Sequence, residues 1–262
     1  FHLLHGFKPA NLMQQTLLQV PELSFLLNDW KKGGHKAVFE KVMRMPQHEV
    51  QQHLKPMVER ILPLYDENKL NRQDPGYWAA RAYKTFCSDG VIDRGLFSIF
   101  MLNLVRLTPG QAIFQDAGLL HAYLEGQNIE LMANSDNVLR GGLTPKHIDV
   151  EELMKNIDFR PVTPQIIKPV KGPIPSEKIY PTPAADFELH QYDLSTGSRE
   201  RIHSDTADIY LLLSGSVQVN DEINSIVLNK GDAFFSVASA YISVLSLESA
   251  CLFRATVPLP PR

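Results

Sequence analysis

Apolar residues recur at helical spacing from Lys8 to about Phe86 and lose that spacing after Gly90. One chain of 262 residues must therefore build helical packing first and short-strand packing afterwards. In "KPANLMQQTLLQV", Pro9 suits the first position of a helix, and Leu12, Thr16 and Val20 follow at i, i+4 and i+8. "HEVQQHLKPMVERILPLY" carries Val50, Leu54, Met57, Val58 and Ile61 on one stripe, with Pro56 costing a backbone donor. "QDPGYWAARAYKTF" opens on Asp74–Pro75, a cap followed by a start signal. The pair Gly33–Gly34 punctuates the middle of the region.

After Gly90, "LFSIFMLNLVRL" is rich in strand formers and predicts a strand. It ends at Thr108–Pro109–Gly110, where proline then glycine suit a type II turn. Short apolar runs continue to about Gly142, at the spacing of a sandwich or barrel. Proline is dense from Pro161 to Pro183, which reads as an extended linker. A second series of strands begins near Phe187, with "FELHQYDL", "DIYLLLSGSVQVN", "NSIVLNKGDAFFSVAS", "YISVLSL" and "CLFRATV". The opening "FHLLHGF" reads as the middle of a strand, so the chain is expected to be a piece of a longer protein. The expected partition is a strand remnant over 1–7, a helical domain over 8–90, a partial β module over 91–158, a linker over 159–186 and a second β module over 187–262.

Composition narrows the function. The net charge is −3 with no basic stripe, which argues against nucleic acid as a partner. The longest apolar runs fall far short of the ~20 residues that span a bilayer, so no membrane partner is expected. Two cysteines, Cys87 and Cys251, stand in no metal-like or redox-like spacing, and the expected home is the reducing cytoplasm.

Chemistry-bearing residues concentrate in "ELMANSDNVLRGGLTPKH", Glu130 to His147, just after His121. If Glu125–Gly126 form a two-residue turn, His121 and Glu130 face each other across a hairpin, with Cβ atoms about 5 Å apart. An imidazole beside a carboxylate suits metal binding or acid–base work. Glu130, Met132 and Asn134 would then share a face. The bland reading stands beside it: a packed histidine with its hydrogen-bond partner, an Asx-type turn at Ser135–Asp136–Asn137, and solvated cations at Arg140 and Lys146. Spacing alone names no reaction.

The stretch "HAYLEGQNIELMANSDNVLRGGLTPKHIDVEELM" closely resembles the signature of the type I phosphomannose isomerases, a zinc-dependent cupin family. The family pattern is P-H-A-Y-L-x-G-x-x-x-E-x-M-A-x-S-D-N-V-x-R-x-G-L-T-P-K. "FHLLHGFKPANLMQQTLLQVPEL" is similar to the entry into that family's helical insertion, and "MLNLVRLTPGQAIF" to the strand pair before the signature. The resemblance implies a mixed, mainly β fold: two cupin-like β-barrel or jelly-roll modules with an α-helical insertion. It implies interconversion of mannose 6-phosphate and fructose 6-phosphate, one Zn²⁺ per full-length chain, a sugar-phosphate partner and a monomer. By position, His121 matches a zinc-binding histidine, Arg140 an arginine near the reacting carbons, and Lys146 a lysine lining the cleft and holding substrate. Glu130 and Asp136 match the motif acids, and which of them moves a proton stays open.

Two departures matter. Leu120 stands where many members have proline. The family's other zinc donors, a Gln-x-His pair and a glutamate in a His-Lys-Pro-Glu-like segment, are not in these 262 residues; His35 and Lys36 fall in the helical region and do not take that role. One imidazole does not hold zinc. The remaining donors are therefore expected upstream of Phe1, and these 262 residues alone are expected to be metal-free and inactive. The second β module offers only His190 and His203, with no His-x-His, and reads as structural. The alternative from another class is a metal-free cupin-like protein that binds a sugar phosphate or regulates. A cupin oxygenase ranks last, because it needs a histidine-rich facial set.

Overall fold

Helical and strand segments follow one another in the order that the change of period predicts, and the mixed architecture is present. The computed structural model describes residues 1–135 and 137–258. It divides into two units. The first comprises Phe1–Pro109, Gln115–Asn128 and Asn137–Gln165; the second comprises Gly110–Phe114, Ile129–Asp136 and Ile166–Arg262.

The first unit starts with strand β1 (His2–Phe7), then α1 (Ala10–Gln19), a 3-10 turn over Pro21–Leu26 and α2 (Leu27–Arg44). Helices α3 (Gln47–Asp66), α4 (Pro75–Phe86) and the short α5 (Leu96–Met101) follow, then β2 (Leu102–Arg106), β3 (His121–Glu125) and α6 (Val150–Asn156). The predicted stripe of α3 is its buried face: Val50, Leu54, Met57, Val58 and Ile61 all lie inside. Asp74 caps α4, its Oδ1 accepting from the Gly76 N–H at 2.7 Å. Gly33 and Gly34 break the helical dihedrals of α2, as their place in the sequence predicts.

Three local expectations change. Leu96–Met101 forms a helix rather than a strand. Five of its six residues are buried, so packing on all sides overrides the strand preference of its aromatic and branched residues. In α1 the inward column is Met13 and Leu17, whereas Leu12 is 44% exposed. Thr16 turns outward because its hydroxyl donates to the Leu12 carbonyl and accepts from the Lys8 ammonium at 3.2 Å. Between Gly90 and Gly142 the described residues hold only two strands, β2 and β3, beside α5, and the rest is irregular.

The sheet has the order β2-β1-β3, all antiparallel, with β1 central. One face carries Leu4, Leu104, Ala122 and Leu124 into the helical core, alongside Met13, Phe39, Leu54 and Trp78. The other face presents two rows across the three strands: Tyr123, Leu3 and Val105, then His121, His5 and Asn103. The register of β1 against β2 shifts between His5 and Phe7, a bulge. Gly6 sits there in the left-handed region at φ +57°, where a Cβ would lie 2.9 Å from Val162 Cγ2, so both dihedral and space require glycine. Asn103 Nδ2 lies 2.9–3.2 Å from the carbonyl oxygens of His5, Gly6, Phe7 and Val162, and the Phe7 carbonyl also accepts from the Val162 N–H at 2.8 Å.

The second unit is built from β4 (Val170–Lys171), β5 (Glu177–Tyr180), β6 (Glu188–Leu194), β7 (Arg199–Ser204) and β8 (Asp208–Ser214). Strands β9 (Ser216–Asn220), β10 (Ser225–Asn229), β11 (Ala233–Ser236), β12 (Ala240–Ser246) and β13 (Ala250–Thr256) complete it. They form open sheets of order β10-β9-β12-β7 and β11-β8-β13-β6-β5-β4 around a core that includes Tyr192, Leu212, Val217, Val244 and Leu252. Strands β4 and β5 lie inside the proline-dense stretch, so that stretch contributes to the larger sheet.

Two outcomes follow for stability. Asn103→Ala removes the donor shared by four carbonyls and should cost about 1–3 kcal/mol in denaturant unfolding; a loss under a few tenths would show that the clamp is redundant. Burial pushes the Lys8 ammonium down to about 8 from 10.5. Between those values the unfolded chain keeps a proton that the folded chain has lost, so stability should rise from pH 8 to 10.5. Lys8→Met should remove that rise and raise the melting temperature at pH 7.

Candidate metal and substrate site

His121 opens β3 at the exposed end of the row His121, His5, Asn103. Its Nδ1 lies 3.0 Å from the Leu119 carbonyl oxygen, which can only accept. In the neutral ring Nδ1 therefore carries the hydrogen, and Nε2 presents its lone pair outward. Leu119 is the second residue before His121, so the segment entering the strand sets the ring's tautomer.

The cross-strand neighbour of His121 is His5, not Glu130. The expected hairpin does not form. A two-residue hairpin turn starting at Glu125 would need that residue at positive φ, and Glu125 is not among the residues with positive φ. It stays in the strand, with its carboxylate held by Arg72 at 2.9 Å and 3.1 Å and by Arg81 at 2.5 Å. The segment after Gly126 forms no strand among the described residues before α6, so the parity argument for Glu130, Met132 and Asn134 has no strand to act on. Glu130 is exposed and belongs to the second unit. Asp136 lies outside the described residues.

His5 is the residue that sequence reasoning missed. It is 2% exposed, and its Nδ1 is buried without a hydrogen-bond partner. Burial first, and then the neighbouring His121, push its imidazole below the ordinary value, so it is neutral at pH 7. The signal in the sequence is weak: a second histidine in "FHLLHGF" becomes meaningful only once the register of β1 against β3 is known.

Arg140 and Lys146 lie in the irregular segment between β3 and α6, Arg140 half-buried and Lys146 exposed. Among the described contacts, no hydrogen bond or ion pair joins either of them to His121. The segment is nonetheless anchored. Gly142 has φ +123°, and a Cβ there would lie 2.5 Å from Gly95 Cα. Asp93 Oδ1 accepts from the Gly95 N–H at 2.6 Å and from the Leu143 N–H at 3.1 Å. The glycine pair of the signature thus allows one backbone to press on another, two residues after Arg140. Two shallow cavities of about 210 and 310 Å³ are lined by neither His121, Arg140 nor Lys146.

As donors for a metal ion, the residues present fit in part. One imidazole is oriented with its lone pair free, and a buried ring nitrogen stands unpartnered beside it. Among the described residues no three histidine, cysteine or acidic side chains cluster closely enough to hold an ion. The second unit offers no substitute at His190, whose Nδ1 and Nε2 face the carboxylate oxygens of Glu177 at 2.7 Å and Glu188 at 2.6 Å. Burial raises the Glu177 carboxyl, but hydrogen bonds from His190 and Tyr192 outweigh it and carry it below the usual range.

Comparison with known proteins comes to one result. No family model matches the chain. Mannose-6-phosphate isomerase of Salmonella typhimurium is 34% identical over 216 residues, 78% of this chain and 53% of the relative. The Escherichia coli enzyme is 40% identical over 149 residues, 56% of this chain and 37% of the relative. Mannose-6-phosphate isomerase 2 of Arabidopsis thaliana is 28% identical over 98% of this chain and 61% of the relative. The chain spans about half the length of the curated relatives it matches. The crystal structure of the Salmonella enzyme bound to fructose 6-phosphate and zinc superposes with a TM-score of 0.82 at 28% identity, covering 99% of this chain and 64% of that one.

Gly142→Ala should destabilise the protein by more than about 1 kcal/mol, because positive φ and the Gly95 backbone both oppose a side chain. It should also speed proteolytic cleavage within 137–149. A variant that melts and resists protease like the parent would show that the glycine serves no close packing.

Proposed function

We propose that this chain, similar in sequence and in fold to the mannose-6-phosphate isomerases, forms part of such an enzyme, interconverting mannose 6-phosphate and fructose 6-phosphate by proton transfer between adjacent carbons. The observation that carries the reading is the signature from His121 to Lys146, on a chain that follows the solved isomerase over 99% of its length.

In this reading His121 is one zinc donor, through Nε2, and the Leu119 carbonyl holds its ring. A zinc ion, when bound, supplies Lewis acidity and a template for the sugar oxygens. Among the described residues no three donors cluster closely enough to complete its set. Arg140 stabilises negative charge developing on the oxygens of an enediolate, as a fixed cation half-withdrawn from solvent. Lys146, exposed on the same segment, meets the phosphate, a dianion that orients the sugar without being changed. Glu130 and Asp136 are the candidate carriers of the proton between the two carbons. The protein works in the cytoplasm on a free sugar phosphate.

The test uses the product of the whole coding sequence that contains this chain, loaded with zinc. Mannose 6-phosphate should be converted to fructose 6-phosphate. Arg140→Ala should lower kcat at least about a hundredfold with zinc content unchanged. No conversion by the zinc-loaded protein would overturn the assignment.

A further inference from the structure

Resting on the reading of Arg140 as the cation at the reacting carbons, we infer that Asp93 is the positioning residue that sets where Arg140 stands. Asp93 holds the backbone just after Arg140. Its Oδ1 accepts from the Leu143 N–H at 3.1 Å and from the Gly95 N–H at 2.6 Å, so one carboxylate oxygen joins the loop before α5 to the signature. That oxygen occupies space that side chains would otherwise need: a Cβ on Gly95 would meet it at 2.9 Å, and a Cβ on Gly142 at 3.2 Å.

The second, independent observation is the conformation of the backbone so held. Leu143 has φ +53°, in the left-handed region that residues other than glycine rarely enter, directly after Gly142 at φ +123°. A turn of this kind persists only where its surroundings impose it, and residues held in this way cluster at functional sites. The Asp93 carboxylate is the group that imposes it, with the Leu143 side chain packed against the helical core.

The turn directs Arg140 towards the candidate centre. A Cβ on Gly141, the next residue, would lie 3.7 Å from Leu120 Cδ2, and Leu120 directly precedes His121. The chain neighbours of Arg140 and His121 therefore lie side by side. Asp93 is fixed in turn from α3: Gln51 Oε1 accepts from the Ile92 N–H and Gln47 Nε2 donates to the Ile92 carbonyl, both at 2.8 Å. Position passes from α3 to Asp93, from Asp93 to the turn, and from the turn to Arg140.

The experiment measures kcat, KM and zinc content in the zinc-loaded product of the whole coding sequence, with mannose 6-phosphate as substrate. Asp93→Ala should lower kcat at least about tenfold, leave KM within about twofold and keep the zinc, as loss of a transition-state contact requires. Asp93→Asn, which retains the Oδ1 acceptor, should recover most of the parent's kcat. Adding Asp93→Ala to Arg140→Ala should cost less than about twofold more, because the two act through one group. Circular dichroism checks folding, and Asp93→Glu, whose acceptor is displaced by one methylene, carries the test if Asp93→Ala does not fold. A kcat within about twofold of the parent in the folded variant, no recovery in Asp93→Asn, or a loss that multiplies in full with that of Arg140→Ala overturns the inference and leaves the isomerase reading intact. A parent without turnover overturns that reading, and this inference with it.

Discussion

The bulge in the central strand β1 is the constraint on which the candidate site depends. In a regular central strand the carbonyls from His5 to Phe7 would alternate between β2 and β3. The register shifts there, and one side-chain amide collects those carbonyls together with that of Val162. An Asn amide has two hydrogens, so it shares them among four acceptors, and no other side chain of its size offers that geometry. The clamp decides which way His5 and Phe7 face. Phe7 turns into the aromatic cluster of Phe39 and Phe159, and His5 turns to the opposite face beside His121.

The helices supply the other half of the constraint. Leu4, Leu104, Ala122 and Leu124 pin one face of the sheet to a core closed by α1 to α5. A slip of one residue in β1 would exchange Leu4 for His5 in that core, burying an imidazole among apolar side chains, so the hydrophobic effect sets the register that pairs the two histidines. Glu125, gripped by Arg72 of the loop before α4 and Arg81 of α4, ties the far end of β3 to the helical segment.

Much of the fold was legible because its signals are local. The α3 stripe, the Asp74 cap, the Gly33–Gly34 break and most of the strands of the second unit follow from period and punctuation. What failed depends on partners distant in sequence. Leu96–Met101 reads as strand by composition, and becomes helix because every side of it meets the core. The site divides in the same way. The signature from His121 to Lys146 stands in the sequence as a continuous pattern, whereas His5 is 116 positions away from its partner and no periodicity links the two. The expected hairpin at Glu125–Gly126 failed for a related reason: the turn looked self-sufficient in sequence, but two arginines from the helical segment keep the glutamate extended.

A buried nitrogen without a partner, such as His5 Nδ1, is a cost the fold carries. Desolvation keeps His5 neutral, so the ring holds a lone pair in a place from which water is excluded. Proteins rarely leave such a group unless it serves binding or catalysis, because substitution by a leucine or asparagine would relieve the cost. The exposed partner ring, hydrogen-bonded to the Leu119 carbonyl, suffers no such penalty. The cost at His5 is carried by β1, whose register the bulge, the amide clamp and the helical core hold against it.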